Sequence, residues 1–103
     1  MVKITNTAVR ERLGNVSPEK QFWCSDGQVL KNLSELEEAL KQMSEETFRF
    51  HSSEGRSDFS NWVMNVVGDE KLSRDLQKST TRIQAAKSVA SRVAWLKSKA
   101  EAG

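Results

Sequence analysis

The sequence predicts a mainly α fold: a small bundle of about four to five helices with a short N-terminal β-hairpin. Three observations carry this. Past residue 32, apolar residues recur at spacings of three and four. Each of these stretches follows a Ser, Thr, Asp or Asn, whose side chain can accept from the free amides of a helix start. Only residues 21–30 show strand-like apolar runs on either side of an Asp-Gly turn.

The first 20 residues are weakly periodic. Val9, Leu13 and Val16 stand at spacings of four and three. The segment reads as a short helix near Ala8–Leu13, ended by Gly14-Asn15, or as a flexible arm. Residues 21–100 read as a single compact helical domain. Gln21-Phe22-Trp23-Cys24, then Ser25-Asp26-Gly27, then Gln28-Val29-Leu30 form the hairpin, since Gly accepts positive φ without cost. Two short strands are marginal in water and must pack on helices. Phe22 and Trp23 alternate, so one of them points away from the hairpin's inner face.

Asn32 opens the first strong helix, with Glu35 placed to complete a capping box. Leu33, Leu36, Ala39, Leu40 and Met43 form its core stripe. Glu35, Glu37 and Glu38 crowd the first turns, where the helix dipole favours negative charge. Ser44-Glu45-Glu46-Thr47 restarts a helix in which Phe48 and His51 share a face, with Phe50 to one side. The alternative is a strand over Thr47–His51. Ser52–Ser57 reads as a loop around Gly55. Ser57 or Asp58 caps the next helix, whose stripe is Phe59, Trp62, Val63, Val66 and Val67, and Gly68 stops it. Asp69 caps a helix that buries Leu72 and Leu76. Ser79-Thr80-Thr81 breaks the chain and caps the last helix, with Ile83, Ala86, Val89, Ala90, Val93 and Leu96 as its core stripe.

The composition is that of a globular protein, with 37% hydrophobic and 29% charged residues in 103. No stretch approaches the roughly 20 consecutive apolar residues of a membrane span. Met1–Asn6 carries no apolar signal-peptide core. The single cysteine, Cys24, cannot form an internal disulfide. These features together favour a reducing, cytoplasmic location and no membrane partner.

The net charge of +2 is unevenly spread. Residues 1–51 hold seven Lys/Arg and eight Asp/Glu, whereas residues 52–103 hold nine and six. Between Leu76 and Ala100 stand Lys78, Arg82, Lys87, Arg92, Lys97 and Lys99 without an acid. Such a run is either a solvated helix face or a patch for nucleic acid or an acidic partner.

Groups for catalysis are few: one histidine, one cysteine and no tyrosine. Cys24 and His51 form a nucleophile pair only on paper, because Cys24 follows Phe22-Trp23 in a strand and reads as a buried, inert thiol. His51, Glu54 and Asp58 could hold a transition metal across a loop, but the usual ligand spacings and a second histidine are missing. The alternative has His51 packed on Trp62 or bonded to a helix end. No glycine-rich phosphate loop is present. The reading is therefore non-enzymatic, with no cofactor and no metal.

On the last helix, at about 100° per residue, Trp95 falls opposite the apolar stripe. Arg92 and Lys99, three residues before and four after, flank it. A tryptophan between two cations suits an acidic partner or a phosphate backbone with a stacked base. The structural alternative covers Trp95 with the N-terminal segment or hairpin and lays Arg92 over its ring. Trp62 lies on its helix's apolar stripe and reads as core.

One set of strings resembles a known family. Phe48-Arg49-Phe50-His51 is followed by Asp58-Phe59-Ser60-Asn61-Trp62-Val63, then by Val66-Val67-Gly68-Asp69 and Leu72. This is similar to an uncharacterised family of small, mostly archaeal domains that pair an aromatic-His segment with a D-F-x-x-W helix start and a V-x-G-D-x-x-L turn. Cys24, Asp26-Gly27, Asn32-Leu33 and Glu35-Leu36 also look similar, so the resemblance covers roughly residues 21–97. It implies a self-contained unit, a binding or regulatory module, and draws His51, Asp58 and Trp62 into one structural cluster.

The functional expectation is a protein–protein interaction or regulatory module, with Arg82, Lys87, Arg92, Trp95 and Lys99 as the partner-binding residues. The alternative is a nucleic-acid-binding accessory protein that uses the same basic helix.

Overall fold

The computed structural model describes residues 5–53 and 56–102, the last two by their backbone alone. It is mainly α, with six α-helices and two short antiparallel strand pairs among the described residues. Helix α1 (Asn6–Leu13) starts at Thr5, whose Oγ1 accepts the Ala8 amide at 3.1 Å. Its single wholly buried side chain is Val9. A 3-10 turn, Pro18–Lys20, leads to strand β1 (Phe22–Trp23), which pairs with β2 (Val29–Leu30) in the register Phe22 to Leu30. Phe22 faces the core and Trp23 is 71% exposed.

The hairpin is one residue looser than a two-residue Asp-Gly turn. Gly27 donates to the Cys24 carbonyl and Cys24 donates to the Gln28 carbonyl, leaving a three-residue loop. Gly27 ends that loop at φ 96°, the left-handed position that favours glycine. Asp26 Oδ1 accepts the Gln28 amide at 3.0 Å and braces the turn.

Helix α2 (Leu33–Gln42) begins at Asn32, whose Oδ1 accepts the Glu35 amide at 2.8 Å. Glu35 reaches back to the Lys31 amide at 2.7 Å, one residue before the cap. Helix α3 (Glu45–His51) begins at Ser44, whose Oγ accepts the Thr47 amide. The segment is thus helix and not strand; Phe48 and His51 are buried and Phe50 is exposed.

The stretch expected to be a loop pairs its ends as β3 (Ser52–Ser53) and β4 (Arg56–Ser57); Glu54 and Gly55 lie outside the described residues. Ser57 caps helix α4 (Asp58–Trp62), accepting the Ser60 amide at 3.1 Å. The helix widens into a π-helical turn, Val63–Val67. Gly68, at φ 85°, closes it with a 2.7 Å bond from its amide to the Val63 carbonyl. The wider turn leaves Val66 and Val67 only partly buried against the core.

Helix α5 (Glu70–Lys78) starts at Asp69, whose Oδ1 accepts the Leu72 amide at 3.0 Å. Helix α6 (Arg82–Ala102) follows, with Thr81 Oγ1 accepting the Gln84 amide at 3.1 Å. It crosses the bundle and packs chiefly on α2, with α1 and α5 on its other flanks. Its buried face is Ala85, Ala86, Val89, Val93 and Leu96.

Ile83, placed on that stripe by the periodicity, is instead 57% exposed. At 100° per residue it lies about 110° from the centre of the buried face. Its apolar character misled because the periodicity does not fix the stripe's edge. The core is closed by aromatic stacking: Phe22 on Phe59 at 5.3 Å, and Phe48 on Phe59 at 5.9 Å between centroids.

Candidate functional site

Helices α1, α5 and α6 bound an open groove of about 1040 Å³. The α6 wall carries a row at four-residue spacing, Lys87, Ser91 and Trp95, which Lys99 extends. The α5 wall supplies Glu70, Lys71, Arg74 and Asp75, and α1 supplies Ala8 and Arg12.

The groove is organised by a carboxylate beneath it. Asp69 has no exposed surface. One oxygen caps α5, and the other accepts from Arg92 Nε at 2.8 Å, with Arg12 Nη1 at 3.7 Å. A buried charge is tolerated only when paired and hydrogen-bonded, and this one has both. Held this way, the Arg92 guanidinium lies 4.3 Å from the Trp95 ring centroid, and the Lys99 ammonium lies 5.3 Å from it. Trp95 keeps 36% of its surface exposed.

The groove's charge is positive. Arg12, Lys71, Arg74, Lys87 and Arg92 face Glu70 and Asp75, with Asp69 behind. The α5 wall largely neutralises itself, since Lys71 meets Asp75 at 2.7 Å and Arg74 meets Glu70 at 3.9 Å. On α6, Lys87 in the groove and Lys99 beyond its end have no ion-pair partner among the described residues.

Of the expected partner-binding residues, the fold brings Lys87, Arg92, Trp95 and Lys99 together. It sends Arg82 elsewhere. Its Nη1 donates to the carbonyls of Leu40 and Lys41 at 2.8 and 2.9 Å, and its Nε meets Glu45 at 2.8 Å. These bonds satisfy free carbonyls at the end of α2. Arg82 and Lys87 border a second, smaller depression of about 330 Å³ with Ile83, Ala86 and Ala90. Sequence reasoning missed Arg12, Lys71, Arg74 and the central role of Asp69. The only local signal was that an N-capping carboxylate uses one oxygen and leaves the other for a cation.

His51 and Asp58 meet across the β3–β4 pair. His51 Nδ1 lies 3.0 Å from Asp58 Oδ2, and His51 Nε2 accepts the Ser25 amide at 3.0 Å. With Nε2 accepting, the proton sits on Nδ1 and is donated to Asp58. His51 is 5% exposed, and both of its ring nitrogens have hydrogen-bond partners. Its ring packs on Phe22, Phe50 and Phe59, not on Trp62.

Trp62 is buried beside Phe22 and donates Nε1–H to the Lys20 carbonyl at 2.8 Å, tying the 3-10 turn to α4. The Cys24 thiol is buried, and desolvation pushes its pKa up, outweighing the opposing pull of the Asp26 and Ser25 backbone amides. Glu54, the third proposed metal ligand, lies outside the described residues, among which no three metal-ligating side chains cluster. Among the described residues no helix is long and apolar enough to cross a membrane.

Comparison with known proteins gives no match to this chain among family models, curated proteins or solved structures.

Proposed function

We propose that this chain is a non-catalytic protein–protein interaction module that receives its partner in the groove between α1, α5 and α6. The observation that carries this reading is Trp95. It is a large, partly exposed aromatic ring on the wall of the groove of about 1040 Å³, beside a buried ion pair. Aromatic side chains with arginine neighbours are the groups on which interfaces concentrate their binding energy.

A nucleic-acid accessory role is the second reading, favoured by the acid-free basic stretch from Leu76 to Ala100. The geometry supports it less. A base stacking on Trp95 would compete with the Arg92 guanidinium and the Lys99 ammonium already over the ring. Arg92 and Arg82 are also committed to internal carboxylates and carbonyls. The lone thiol of Cys24 and the similarity to small archaeal domains fit a cytoplasmic module and stay part of the proposal.

Tryptophan fluorescence tests the choice. Short single- and double-stranded oligonucleotides are titrated at low and physiological salt into wild-type and Trp95→Phe protein. No saturating change is expected. A saturating, salt-sensitive change lost in the variant transfers the function to nucleic acid. In parallel, partners retained by immobilised wild-type protein are expected to be lost on Trp95→Ala; unchanged retention removes the groove from the interface.

A further inference from the structure

We propose that the groove's occupant is an acidic, extended segment of the partner protein, lying along the Lys87, Ser91, Trp95, Lys99 row. This rests on the interaction-module reading above. Two features select the chemistry. The first is charge. The α5 wall pairs its own charges, whereas on α6 Lys87 in the groove and Lys99 just beyond it are exposed and without ion-pair partners among the described residues. Arg12 and Arg92 share the single carboxylate of Asp69, so the wall of the groove keeps an excess of guanidinium charge. Carboxylates brought to this wall meet cations that fold-internal acids do not satisfy.

The second feature is shape. Lys87 and Lys99 stand 12 residues apart, about 18 Å along the helix axis. An extended segment spans that in about five to six residues. Ser91, small and exposed, stands between Lys87 and Trp95 and leaves room for a main chain to approach. The exposed part of the Trp95 ring then receives one apolar side chain, and acids on either side of it meet Lys87 and Lys99. A basic or neutral segment would leave these cations unpaired as water is excluded, which disfavours it.

The test uses three decapeptides (Glu-Leu, Gln-Leu and Lys-Leu) in which the two named residues share one face of the extended chain, at every second position in turn, with Ser on the other face, titrated into the full chain with tryptophan emission as readout. Wild-type and Lys87→Glu proteins are compared; Lys87 is exposed, so the change leaves the core intact. The expected result is saturable binding of the Glu-Leu peptide, weakened about tenfold by Lys87→Glu and by raised salt. The Lys-Leu peptide is expected to gain affinity for the variant.

Equal affinity for the Glu-Leu and Gln-Leu peptides overturns the acidic occupant but leaves the interaction module standing. So does an unchanged affinity in Lys87→Glu. Absence of any peptide response overturns the proposed occupant. Salt-sensitive self-association that Lys87→Glu abolishes, read by sedimentation, makes a second copy the occupant and also overturns it. Saturating oligonucleotide binding removes both readings at once.

Discussion

Replacing Asp69 by alanine removes two supports with one substitution. The first is the α5 cap, a 3.0 Å bond from the Leu72 amide, whose loss costs about 1 kcal/mol. The second is the partner of Arg92, a side chain only 12% exposed, whose Nε sits 2.8 Å from the carboxylate. Removing one member of a buried pair costs about 3–5 kcal/mol, because the remaining charge is left uncompensated. Arg92 borders the groove and can turn partly towards water, so the lower end of that range applies. The sum is about 4 kcal/mol, a large share of the roughly 5–15 kcal/mol by which a domain is stable. At about 4–8 °C per kcal/mol for a chain near this size, the melting temperature falls by roughly 15–30 °C.

Asp69→Asn keeps an oxygen for the cap and loses the charge, so it is expected to fall between alanine and wild type. Asp69→Asn combined with Arg92→Met removes the two most buried charges and is expected to be less destabilised than Asp69→Ala, since only the more exposed Arg12 is left without its carboxylate. Urea unfolding followed by circular dichroism measures all of these. A loss under about 1 kcal/mol in Asp69→Ala would refute the assignment of Asp69 as the groove's organiser.

The Cys24 thiol, pushed up by burial, is expected to react at pH 8 at least about tenfold more slowly with an aromatic disulfide reagent in the native protein than in urea. The sign follows from the fold favouring the protonated thiol. That contribution to stability is complete below the unfolded thiol's pKa and is lost as pH rises through the higher folded value. Gly68→Ala is expected to cost about 1–2 kcal/mol by denaturation; an added Cβ meets nothing within 4 Å, so the cost comes from the left-handed φ of 85°. Ser60 and Ser73 are buried and exchange bonds between α4 and α5. The Ser60 hydroxyl donates to the Ser73 carbonyl at 2.8 Å, and the Ser73 hydroxyl donates to the Ser60 carbonyl at 3.1 Å. Each alanine variant should lose about 1 kcal/mol, and the double variant less than the sum.

The helical plan was legible because its signals are local. Asn32, Ser44, Asp69 and Thr81 cap helices as their side-chain chemistry requires. Gly68 stops one helix because few other residues adopt its φ. Four of the five expected partner-binding residues share one region because α6 alone brings them together. The rest depends on which elements meet. Nothing local to Arg82 says that it reaches the end of α2 about 40 residues earlier, or that Arg12 on a weakly patterned helix shares Asp69 with Arg92. The π-helical turn was equally hidden, since Val63, Val66 and Val67 share a face in either helical period. Ile83 shows the limit of periodicity: an apolar residue at the edge of a stripe faces core or solvent according to how the helix is rolled, and packing decides that.

The position of α6 has a consequence for how the chain folds during synthesis. It follows the other described helices in the chain, yet α2 and α1 pack against it, and it supplies Val89 and Leu96, both without exposed surface. The first two helices therefore reach their full native burial only through contacts some 40 to 80 residues downstream. Loop closure over such separations is slow compared with local helix formation. Vectorial synthesis therefore leaves the native burial of Leu33, Leu36 and Leu40 to be completed only once α6 is available.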